Sequence, residues 1–225
     1  MGQTTPTSPP EPEIALKHRR ASRWFHWTNF PLLALMIWSG ILIYWANDIY
    51  HIDAGDYRLK FFPRGWYTAL GLDHRLAEGM AWHFFLQWFF VLNGVAYVAY
   101  TVFSGEWRQL VPRRGTFRDA WLVVLHDLHL RKTPPPQPQK YNGAQRILYT
   151  LIIFFGVFST LTGYVMFKPV QLYWLRELLG GYETARFLHF WLAVGYVLFF
   201  VLHVVQVARA GWNNFRAMVS GYEVK

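Results

Sequence analysis

Residues 185–208, ARFLHFWLAVGYVLFFVLHVVQVA, decide how the rest of the chain is read. The run is apolar enough and, at about 1.5 Å of rise per residue, long enough to cross a hydrocarbon core of about 30 Å. It carries two histidines, His189 and His203, fourteen positions apart. At about 100° per residue that spacing falls roughly 40° short of four turns, so both imidazoles leave nearly one face, about 21 Å apart along the axis. A titratable side chain at membrane depth is costly and marks a functional site by default. A lone histidine in an apolar helix commonly hydrogen-bonds a neighbouring helix. Two on one face, one near each membrane surface, point instead to ligands completed by other helices.

Three further apolar blocks supply those helices, at about 25–46, 80–103 and 147–167. The first opens with His26 and the second has His83 near its start, while the third holds no histidine. Hydrophobic residues make up 53% of the 225 and charged residues only 16%, and the apolar ones are gathered in these blocks, which sets the class as integral membrane. The expected fold is an all-α integral membrane protein, a four-helix transmembrane bundle with two short interfacial helices. Small residues stand at Ser39-Gly40 and at Gly156, Ser159, Thr160, Thr162 and Gly163, where helices or a bulky planar group can come close to backbone.

A net charge of +9 invites a nucleic-acid reading, but the basic residues lie in short segments beside apolar blocks, where membrane orientation accounts for them, so no nucleic acid is expected. An even number of spans puts both termini on one side. The tail, the 104–146 connection and the C-terminus together carry 15 Lys and Arg, against 7 on the other side. The termini are therefore expected in the cytoplasm. There is no cysteine, which excludes disulfides, thiolate-held iron–sulfur clusters and covalent c-type haem attachment.

Residues 1–20, rich in Pro and Thr before a basic cluster, read as a disordered cytoplasmic tail without a secretory cleavage pattern, and 21–220 as one transmembrane domain. The polar loop from about Asn47 to Gly79 contains His74, read as a surface residue, and a turn signal at Pro63-Arg64-Gly65. In the 104–146 connection, Phe117 to Leu130 is too short to span and reads as an interfacial helix, leaving His126 and His129 at the headgroups. Pro134 to Pro138 reads as a polyproline spacer, and Gln171 to Leu179 as the second interfacial helix.

Orientation assigns depth. His83 and His189 fall near the outer surface, His26 and His203 near the inner one. Each pair can supply two axial imidazoles to one haem iron, an arrangement that leaves no coordination position open and suits electron transfer. The expected cofactors are two haem b, about 20 Å apart along the last helix. Arg186 at the outer level and Arg23, with Arg20, at the inner level can either meet haem propionates or serve as membrane-orienting, snorkelling cations.

These residues resemble the four-helix di-haem cytochrome b subunits of membrane-bound formate dehydrogenases, nickel–iron hydrogenases and thiosulfate reductases, together with bacterial cytochrome b561. The resemblance covers roughly residues 18 to 220. It rests on Arg23-Trp24-Phe25-His26-Trp27, on His83, on the His189 and His203 pair, and on Lys140-Tyr141-Asn142-Gly143-Ala144-Gln145. It implies a bacterial inner-membrane subunit passing electrons between a periplasmic oxidoreductase and the quinone pool. Carried over, it names Asn142 as a quinone contact, with Tyr141 and Gln145 beside it. Asn142 also stands where a helix N-cap would. The run from Asp127 to Gln145 and Lys168-Pro169-Val170-Gln171-Leu172 look more like the thiosulfate-reductase or cytochrome b/b6 subgroup, which implies a molybdopterin-type partner. The alternative is a stand-alone quinone-linked oxidoreductase resembling superoxide oxidase. A third class is a transport or scaffold bundle whose histidines only hydrogen-bond.

Overall fold

The computed structural model describes residues 13–47, 49–55, 57–133 and 140–224. Strand β1 (Ile14–Leu16) leads into helix α1 (Arg20–Tyr44), and a hairpin of β2 (His51–Ala54) and β3 (Tyr57–Lys60) precedes the short helix α2 (Arg64–Ala69). Helix α3 (Leu76–Phe103) is followed by α4 (Trp107–Leu110) and α5 (Thr116–Asp127). Helix α6 (Gly143–Phe167), the short α7 (Tyr173–Leu178), α8 (Tyr182–Ala210), α9 (Trp212–Ser220) and strand β4 (Tyr222–Val224) complete the chain. Four of these, α1, α3, α6 and α8, are long and apolar enough to cross a membrane, and together they form an all-α membrane bundle.

Each spanning helix starts a few residues before its apolar block, and polar groups finish two of those starts. At the start of α6, Asn142 Oδ1 accepts from the Gln145 backbone N–H at 2.9 Å, and Gln145 Oε1 accepts from the Asn142 N–H at 3.1 Å. This capping box satisfies orphan donors at both of its ends. Before α3, the Arg75 guanidinium grips Glu78 at 2.6 and 2.8 Å. The bundle shows apolar side chains outward, as a protein solvated by lipid does. Leu198, Val201 and Leu202 of α8 are 53–60% exposed.

Packing is concentrated within two hairpins, α1 with α3 and α6 with α8. Glycines set how close each comes. A Cβ at Gly79 would lie 2.6 Å from the Leu42 side chain, and one at Gly195 would lie 2.6 Å from the Phe155 ring, so only glycine permits these approaches. At the end remote from the chain termini, Val165, Leu175 and Ala185 form a small buried cluster joining α6, α7 and α8.

The end carrying the termini is tied together by polar contacts. Strand β1 pairs antiparallel with β4, and Lys17 Nζ meets Glu223 at 2.7 Å. The expected disordered tail thus contributes a strand in its described part, since the C-terminal strand offers its backbone groups partners. Arg23 donates to the Ser220 carbonyl at 2.6 Å and Trp27 Nε1 to that of Met218 at 3.1 Å, clamping α9 against α1. Gln206 and Arg209 of α8 reach Asp127 at the end of α5.

Helix α5 covers most of the expected interfacial stretch 117–130 and α7 most of 171–179. Besides these two, α2, α4 and α9 are also short helices, and Pro63 starts α2 where a turn is expected. The tail before residue 13 and the polyproline run lie outside the described residues.

Candidate functional site

The four membrane-depth histidines come together as two pairs, each bridging the two hairpins. His83 of α3 faces His189 of α8 with ring centroids 6.2 Å apart and planes at 70°. His26 of α1 faces His203 of α8 at 6.1 Å and 55°. Neither separation is that of a hydrogen bond between the rings. Two imidazoles on opposite sides of one metal ion, each with a bond of about 2 Å and a ring centre about 1.2 Å beyond its nitrogen, stand about 6.4 Å apart. Among the described residues no group of three or more His, Cys, Asp or Glu side chains forms a metal site. Each pair by itself offers an ion two imidazole donors.

The surroundings fit a planar group at each level. Beside the first pair, a Cβ at Gly40 would stand 3.7 Å from His83 Cε1, and one at Gly163 would stand 3.3 Å from His189 Cε1. Ser39 Oγ lies 2.9 Å from His83 Nδ1 and Thr162 Oγ1 lies 3.0 Å from His189 Nδ1. One turn below His83, Gln87 Nε2 is buried without a hydrogen-bond partner. At the second pair, the Phe199 ring stacks on His203 at 5.7 Å and 9°, and Trp27 meets the His26 ring edge-on at 5.0 Å. His26 Nδ1 is buried and unpartnered.

Arg186 and Arg23 stand at the two levels with their guanidinium groups only partly used. Arg186 pairs with Glu183 at 2.5 Å and Arg23 with the Ser220 carbonyl, yet Nε of each is buried without a partner. Buried guanidinium donors cost stability unless an acceptor meets them. An anionic group that reached either Nε would meet that donor.

The motif from Tyr141 to Gln145 sits at the same end as His26 and His203. Asn142 and Gln145 spend their carbonyl oxygens on the capping box. The Tyr141 ring meets Tyr149 edge-on at 5.0 Å, and Lys140 Nζ lies 5.2 Å over its face. Burial first, then Tyr149 and the Glu106 carboxylate, push the Tyr141 phenol up. Glu106 itself accepts from Tyr100 at 3.2 Å and Ser22 at 3.3 Å and faces Arg19 at 3.6 Å.

His74 is on the surface, as expected, beside the Trp45 ring at 4.6 Å. His126 stays at the edge of α5, 3.9 Å from Asp127. Sequence reading missed His18. Burial and then the charges of Lys140, Lys17 and His26 lower its pKa to about 4. It also missed the hydroxyls of Ser39 and Thr162 as partners of the histidines, although each precedes a glycine on the helix packed against its imidazole.

Comparison with known proteins places the chain in a family. The chain is 32% identical over 211 residues to a putative protein-methionine-sulfoxide reductase subunit, YedZ1, of Azospira oryzae, covering 93% of this chain and 98% of the relative. The family model for prokaryotic cytochrome b561 matches residues 17–221, which takes in all four spanning helices and all four paired histidines. The chain belongs to the prokaryotic cytochrome b561 family and is a multi-pass, b-type cytochrome subunit for electron transfer in a membrane.

Proposed function

We propose that His83 with His189, and His26 with His203, each hold one b haem, two per chain, and that the subunit links a periplasmic oxidoreductase to the quinone pool. The observation that carries this reading is the pair of cross-hairpin imidazole contacts at 6.2 and 6.1 Å, spaced for a shared iron and set at two depths of one bundle. Haem supplies a one-electron carrier at each level. The protein's part would be to set the two levels on α8 and to offer each iron two imidazoles, an arrangement suited to electron transfer. Arg186 and Arg23 would offer their unpartnered Nε donors to the haem carboxylates.

The termini and the 104–146 connection are cytoplasmic by their excess of Lys and Arg, in a bacterial inner membrane. The quinone site lies beside the inner pair, at Tyr141, Asn142 and Gln145. The Asn142 and Gln145 side-chain oxygens cap α6, so the carboxamide N–H groups of these two are the ones to donate to a quinone carbonyl. The outer face, with α2, α7 and the β2–β3 hairpin, receives the partner. The relative's name favours an oxidoreductase acting on oxidised methionine, and a molybdopterin enzyme is the class expected from the resemblance.

The test is reciprocal ligand deletion in the full chain. His203→Ala removes one haem of two and abolishes reduction by quinol, while the haem held by His83 and His189 still reduces with dithionite. Retention of both haems in His203→Ala and in His83→Ala would overturn the pairing.

A further inference from the structure

The two histidine pairs differ in what stands behind the rings, and this difference has a chemical direction. Ser39 Oγ lies 3.0 Å from the Met36 carbonyl of its own helix, and Thr162 Oγ1 lies 2.7 Å from that of Phe158. A carbonyl only accepts, so each hydroxyl spends its single proton there and offers its oxygen lone pairs to the imidazole. With the hydroxyl protons so placed, His83 Nδ1 at 2.9 Å and His189 Nδ1 at 3.0 Å are the donors. Both outer imidazoles are thereby held as the Nδ1–H tautomer, with the Nε2 lone pair free for a metal.

Both hydroxyl residues are fully buried and each is followed by a glycine beside the same ring, on α1 for the α3 histidine and on α6 for the α8 histidine. The same device thus occurs once in each hairpin. It is absent at the inner pair, where His26 Nδ1 is buried without a partner and no hydrogen bond to His203 is found among the described residues.

Resting on the two-haem reading, we propose that Ser39 and Thr162 are positioning residues that set the redox potential of the outer haem alone. An imidazole that donates a hydrogen bond from Nδ1–H is a more basic ligand through Nε2 and favours the ferric state. The outer site is therefore held at a lower potential than the same two imidazoles would give without their hydroxyl partners. The inner site lacks this contribution.

The test uses the purified full-length chain in detergent, with optical redox titration of the b bands and electron paramagnetic resonance of the ferric haems. Ser39→Ala and Thr162→Val, the latter nearly isosteric, are each expected to retain two haems and to move one titration component to higher potential. The double variant moves that component further, the other stays fixed, and the low-spin ferric signal of one haem changes. Ser39→Thr and Thr162→Ser restore the wild-type values. Unchanged potentials in variants holding two haems would overturn the proposal. Should Thr162→Val lose the outer haem, retention in Thr162→Ser supports a hydroxyl role, and loss in both makes the position one of packing and overturns it. The underlying reading fails separately, if wild type binds fewer than two haems or if His83→Ala and His189→Ala lose none.

Discussion

Gly163 of α6 and His189 of α8 are so close that a Cβ on the glycine would stand 3.3 Å from the histidine Cε1. Across the other hairpin, the matching distance from Gly40 to His83 Cε1 is 3.7 Å, an ordinary van der Waals contact. The two positions are chemically alike and sterically different. Gly163→Ala is expected to push the His189 ring and lower outer haem occupancy several-fold, whereas Gly40→Ala keeps both haems. Haem content per folded chain measures this, and equal retention in both variants would contradict the cradle.

Asn142 caps α6 and is also the proposed quinone contact, and two substitutions separate the roles. Serine retains a capping oxygen while losing the carboxamide, whereas alanine loses both, at about 1 kcal/mol for the cap. Asn142→Ser is expected to leave thermal stability near wild type and slow haem reduction by added quinol several-fold. Asn142→Ala slows it similarly and also lowers the melting temperature. Wild-type quinol kinetics in Asn142→Ser would remove Asn142 from the quinone site.

His18 makes the end carrying the termini sensitive to acid. Its folded pKa of about 4 lies below the ordinary 6.5, because burial and the neighbouring Lys140, Lys17 and His26 oppose its protonation. The unfolded chain takes up the proton first as pH falls, so the stability this group contributes is full above pH 6.5 and is lost between there and about 4. Limited proteolysis of the β1–β4 region should accelerate across that window, and His18→Gln should flatten the dependence. Identical pH profiles for the two proteins would contradict it.

Much of this was legible in the sequence because lipid imposes a one-dimensional code. Four apolar blocks fixed four spanning helices, and the depth of each histidine followed from where it sat in its block. His189 and His203 needed only helical periodicity to reveal two levels on one face. The helix ends were less legible, since Arg20, Arg75 and Gly143 lie beyond the apolar residues; Gly143 follows the Asn142 cap and Arg75 pairs with Glu78. Pairings distant in sequence were not legible at all. Nothing local marks Ile14 as the strand partner of Val224, or His18 as a neighbour of Lys140. Ser39 and Thr162 were visible only as small residues, because a hydroxyl's role depends on which ring arrives opposite it.

The central claim is that two imidazole pairs bridge the two hairpins to hold two b haems. The most direct measurement is a pyridine haemochrome assay with quantitative amino-acid analysis on the purified chain. The account predicts two haems b per chain, falling to one in either His83→Ala or His203→Ala. One haem or none in well-folded wild-type protein would contradict it.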